Sequence, residues 1–139
     1  MATTAGASAA ALPVRKGEKP WTEAELKKVR QQLQSDIDGL TTDINEAESA
    51  IAERLSDAVG DAGDDPADAG AKTFQREHEL ALTQNARELL AASRRALARI
   101  DDGTFGVCES YGQPIGKARL QAFPRATLCV TCKQREERR

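Results

Sequence analysis

The sequence predicts an all-α-dominated protein, a long antiparallel coiled-coil hairpin followed by a small C-terminal knob and a short C-terminal helix. Three observations carry this reading. Two long stretches each hold one narrow apolar stripe at helical spacing. An acidic, glycine-bearing segment separates them, and every cysteine falls beyond the second stripe among clustered Gly and Pro.

A chain of 139 residues suits one domain or one elongated module. Aromatics are only 4% of it, so a large globular core is not expected, because aromatic side chains usually supply much of the buried area. Eleven of the first twenty residues are Ala, Gly, Ser or Thr, and residues 1–20 are expected to be a disordered tail. Met1 to Pro13 lacks the basic and apolar regions of a signal peptide.

The hairpin is expected over residues 21–102, with its acidic tip near 57–70. Thr22-Glu23-Ala24-Glu25 is a capping box, and Trp21 and Leu26 stand where a hydrophobic staple needs them. Apolar residues then recur at Leu26, Val29, Leu33, Ile37, Leu40, Ile44, Ala47, Ile51 and Leu55. A helix from Thr22 to about Val59 would be roughly 55 Å long. Residues 57–68 hold five Asp and no base, which reads as a turn. Within it Asp65 is a natural N-cap, Pro66 a natural first helical residue, and Asp68 an acid favoured by the helix dipole. The second helix is expected from about Pro66 to Asp101, with Phe74, His78, Leu82, Ala86, Leu89, Ser93, Ala96 or Leu97, and Ile100 on its seam. Each stripe most simply buries the other, which predicts a monomer with His78 in the interior.

The net charge of −2 disfavours a protein that coats nucleic acid through bulk charge. No run of about 18 apolar residues is available to span a membrane. Three cysteines, an odd number, do not form a secreted disulfide framework, and a cytoplasmic protein is expected.

Residues 103–139 form the knob. Cys129-Val130-Thr131-Cys132 is one half of a zinc site, and a complete site would pair it with a second Cys-x-x-Cys some 15–20 residues upstream. That first half reads Cys108-Glu109-Ser110-Tyr111, so the zinc-finger-like knob has one ligand missing. Glu109, Ser110 or a water are candidates to complete a site of Cys108, Cys129 and Cys132, whereas His78 is far away in the sequence. The competing reading is that packing of Phe105, Ile115, Leu120, Phe123 and Leu128 has replaced the metal.

The knob reads Cys108-x2-Tyr111-x3-Ile115-x3-Arg119-x4-Pro124-x4-Cys129-x2-Cys132, preceded by Asp102-Gly103-Thr104-Phe105-Gly106. This closely resembles the zinc-finger signature of the DksA/TraR family, with Tyr111 where that family has its second Cys. The resemblance extends upstream, since the family's Asp-x-x-Asp-x-Ala tip motif is matched by Asp65-Pro66-Ala67-Asp68-Ala69-Gly70 apart from its last position. It implies a transcription regulator that binds RNA polymerase rather than DNA. The hairpin would enter the secondary channel so that Asp65 and Asp68 approach the catalytic centre. Zinc is the implied cofactor. The family's response to a nucleotide effector, guanosine tetraphosphate, does not transfer residue by residue and stays open.

Two other classes remain. One is a coiled-coil scaffold with a degenerate finger. The other is a nucleic-acid-binding zinc ribbon using Arg119, Arg125, Lys133, Arg135, Arg138 and Arg139, which the acidic hairpin and scarce aromatics weaken. No nucleophile–base pair or phosphate loop points to an enzyme.

Overall fold

The computed structural model describes residues 9–58 and 66–138. Among the described residues a 3-10 turn at Ala9–Ala11 precedes four helices: α1 (Glu23–Ala58), α2 (Pro66–Asp102), α3 (Lys117–Ala122) and α4 (Val130–Glu137). Strand pairing among the described residues is one isolated antiparallel bridge, Val107 with Pro114. The protein is thus all-α, and its contacts divide it into two units. One joins Met1–Asp36 to Ala92–Arg139, and the other is Ile37–Ala91.

The Ile37–Ala91 unit pairs the two long helices. Glu48 bonds Arg87 and Arg54 bonds Glu79, so partner numbers fall as residue numbers rise and the pairing is antiparallel. Ile44 and Thr83 are buried between them, and the Thr83 hydroxyl donates to the Glu79 carbonyl at 2.9 Å. The Arg54 guanidinium holds the Glu79 carboxyl below its ordinary value, against partial desolvation. The interior placement expected for the seam fails at four positions. His78, Phe74, Leu82 and Leu55 are exposed, Phe74 at 75%. A helical period identifies which face is apolar, but in a two-helix pair each stripe has a single neighbour, and that neighbour leaves these positions open. Asp65 and the turn before it lie outside the described residues, and Asp68 is exposed in the first turn of α2.

The other unit holds the core. Trp21, Leu26, Val29 and Leu33 from the first part of the chain pack with Ala96, Ile100, Phe105, Ile115 and Leu120 from the last part. Trp21 meets Phe105 with ring centroids 5.9 Å apart, a tilted aromatic pair. The capping box forms as its sequence implies: the Thr22 amide donates to Glu25 Oε1 at 3.0 Å, and the Glu25 amide to Thr22 Oγ1 at 3.1 Å. Lys117 bonds the same carboxylate at 2.6 Å and, with Thr22, holds the Glu25 carboxyl down to about 2.

The expectation of a disordered tail over residues 1–20 is corrected for residues 9–20. Ala9 and Leu12 are buried in the core, and the Ala9 amide donates to Glu23 Oε1 at 3.1 Å. Glu18 is the main anchor. Its Oε1 accepts from the Arg15 and Lys117 amides at 2.8 and 3.0 Å, and its Oε2 from the Ala118 amide at 3.1 Å. A few buried apolar groups and one carboxylate suffice to order a segment whose composition alone reads as coil. Phe123, expected in the knob's core, is also exposed and lies 5.8 Å from the Arg119 guanidinium.

Candidate metal centre

The centre is built where α2 stops. Gly103 has φ +82°, and the Thr104 and Phe105 amides both donate to the Arg99 carbonyl, a Schellman-type end that turns the chain sharply. The chain then forms a narrow loop, with the Ile115 amide on the Gly106 carbonyl and the Cys108 amide on the Gln113 carbonyl. Gly106 is required in this loop. Its φ is +95°, and a Cβ there would meet Leu120 Cδ1 at 3.1 Å. The loop presents Cys108, while Cys129 caps α4 and Cys132 sits one turn later.

The three Sγ atoms lie within 4.8 Å of one another. All three thiols are free and buried, at 1% exposure for Cys108, 8% for Cys129 and 7% for Cys132. The Cys129 amide donates to Cys108 Sγ at 3.4 Å. Burial pushes the Cys108 thiol up, but the amides of Cys129, Tyr111 and Ser110 outweigh it and bring it down to about 7. The Cys129 thiol and burial push Cys132 the other way, upward, against a bond to the Ser110 hydroxyl. One readily ionised sulfur and two close neighbours, with amides aimed at sulfur, form a donor set that suits zinc. These residues fit the metal.

The other candidates separate clearly. Tyr111 is 68% exposed, with its ring in solvent rather than among the thiols. Glu109 is engaged by Arg99. Ser110 stays beside Cys132, and His78 is exposed in the other unit. Several cations proposed for a nucleic-acid surface have internal partners: Arg119 on the Leu128 carbonyl, Arg125 on Asp36 and Lys133 on Glu137. Sequence reasoning missed Glu18. Its one signal was Gly116 at the start of α3, an N-cap without a side chain that needs an acceptor from elsewhere.

Fold and site together define a helical-hairpin protein whose C-terminal knob is a cysteine-based finger. Residues 103–138 match the family model described as the prokaryotic dksA/traR C4-type zinc finger. The RNA polymerase-binding transcription factor DksA of Escherichia coli (strain K12) is 30% identical over 117 residues, covering 84% of this chain and 74% of that protein. The chain belongs to the DksA/TraR family. The same-named factor of Caulobacter vibrioides (strain NA1000 / CB15N) is 43% identical over 75 residues, 54% of this chain, and the match spans about half of that relative's length, 53%. Among solved structures, transcription factor DksA2 from Pseudomonas aeruginosa superposes with a TM-score of 0.66 at 30% identity, covering 84% of this chain and 85% of that one.

Proposed function

We propose that this protein regulates transcription by binding RNA polymerase, with the hairpin tip entering the secondary channel and zinc held by Cys108, Cys129 and Cys132. The observation that carries the reading is the pairing of a family-type finger with a long helical hairpin in one chain whose relatives are named as polymerase-binding factors. In this reading Asp65 and Asp68 face the polymerase active centre. The protein acts as a cytoplasmic monomer, a binding factor rather than an enzyme, and makes no sequence-specific contact with DNA. No helix among the described residues is long and apolar enough to cross a membrane.

In-vitro transcription with purified polymerase tests the proposal. Asp65→Asn/Asp68→Asn keeps side-chain size and some capping ability. Affinity for polymerase should therefore change little while the effect on transcription falls. Running the assay with and without guanosine tetraphosphate reads out any nucleotide effector. Failure of the intact protein to bind polymerase would leave the scaffold reading in its place.

A further inference from the structure

We propose that Lys16 and Arg135, with Arg15, line a binding site for a small anionic thiol, whose sulfur would complete the coordination of the metal held by Cys108, Cys129 and Cys132. The inference rests on the zinc reading above and adds to it a ligand class and a route.

A cavity of about 620 Å³ lies against Cys129 and Cys132 and has Tyr111 on its wall. Cys129 and Cys132 line this cavity and Cys108 does not, so the centre borders the cavity through those two residues. Tyr111 stands at the position where a four-cysteine finger has its remaining sulfur, and the residue is 68% exposed rather than buried among the thiols. The chain thus supplies three clustered sulfurs, two of their residues bordering a cavity large enough for a small molecule.

The charge of the cavity selects the ligand. Arg15, Lys16 and Arg135 line it, and none of the described residues lining it is acidic. Three thiolates around a divalent ion already sum to one negative charge, so nearby cations favour a ligand that brings a carboxylate along with its thiolate. Sulfur is also the donor type that zinc in a thiolate site accepts well. On binding, the ligand's sulfur forms the bond to the metal and the thiol proton passes to solvent; nothing is oxidised or reduced.

Cobalt(II) replaces zinc as a visible probe, because the intensity of its sulfur-to-metal absorption rises with the number of sulfur ligands. The full chain, loaded with Co²⁺, is titrated with mercaptoacetate, and in parallel with acetate, phosphate and neutral 2-mercaptoethanol. Mercaptoacetate should give a saturable increase, while acetate and phosphate should not. Arg135→Gln and Lys16→Gln should each weaken mercaptoacetate binding roughly two- to five-fold, the range of a partly exposed ion pair, and weaken 2-mercaptoethanol, which lacks the carboxylate, by less. Tyr111→Cys should show the four-sulfur spectrum at the outset and ignore added thiol. A metal-loaded parent silent to mercaptoacetate, an equal response to the oxyanions, or an affinity indifferent to both charge variants would overturn the proposal. If neither Co²⁺ nor Zn²⁺ binds, the zinc reading fails and the proposal falls with it, a result distinguishable from metal bound without a thiol response.

Discussion

Replacing Glu18 with Ala should loosen the knob from a position 98 residues upstream of its nearest helix start, Gly116. The carboxylate satisfies the Lys117 and Ala118 amides at the start of α3, plus the Arg15 amide in its own turn. Losing a helix cap costs about 0.5–2 kcal/mol, and the turn bond adds about 0.5–1.5 kcal/mol before screening. Because Glu18 is only partly buried, the lower half of that range applies, about 1–2 kcal/mol in total. For a chain of this size the corresponding fall in melting temperature is roughly 3–8 °C. Glu18→Gln keeps an acceptor but loses the charge, so its fall should be smaller. The pH dependence has a definite sign. Partial burial raises the Glu18 carboxyl, but the Lys117, Arg15 and Ala118 amides outweigh it and hold the group below its ordinary value of 4.5. Its contribution is therefore complete above that value and disappears as pH falls through the depressed one. Thermal melts followed by circular dichroism, with hydrogen exchange at Lys117 and Ala118, measure both effects. The reasoning fails if Glu18→Ala melts with the parent and those two amides exchange no faster. It fails equally if the gap between parent and Glu18→Gln stays undiminished at about pH 3.

Three further outcomes are expected. Trp21→Ala should cost about 3–5 kcal/mol, because a fully buried aromatic is removed, whereas Trp21→Phe should cost far less, since the indole N–H is buried without a hydrogen-bond partner; urea titrations compare them. Gly70→Ala meets no atom within 4 Å and should stabilise α2 by up to about 1 kcal/mol, while completing the Asp-x-x-Asp-x-Ala tip and strengthening the effect in the transcription assay. Tyr111→Cys gives up only an exposed ring and should hold zinc against chelators that strip the parent, as metal analysis after dialysis would show.

Local chemistry was the most legible part of this sequence. The Thr22–Glu25 box involves residues three apart and forms as written. Cys129 and Cys132 are brought together by a helix start, a short-range device, whereas Cys108 joins them across 21 residues. Reading failed where the deciding partner lies far along the chain. Glu18 looks like one charge in a coil-like tail, and nothing near it in sequence shows that it serves amides at 117 and 118. Leu12 is a single leucine among alanines until Trp21 and Phe105 give it a core to join. The reverse error befell Phe74, His78 and Leu82, where a correct period was taken to imply cover. Asp68 kept its predicted helix-start position, but that position by itself serves capping and function equally well.

The core unit is assembled from the two ends of the chain, Met1–Asp36 and Ala92–Arg139, with 55 residues between them. During synthesis its first half must therefore wait, apolar side chains exposed, until the part from Ala92 onward has been made. Joining the halves across an unstructured 55-residue loop would cost about 3.5 kcal/mol in closure entropy beyond a constant term. The Ile37–Ala91 unit is contiguous and antiparallel, so it can pair earlier and bring the ends of that loop together. Order of synthesis thus becomes order of folding, with the paired helices first and the core afterwards.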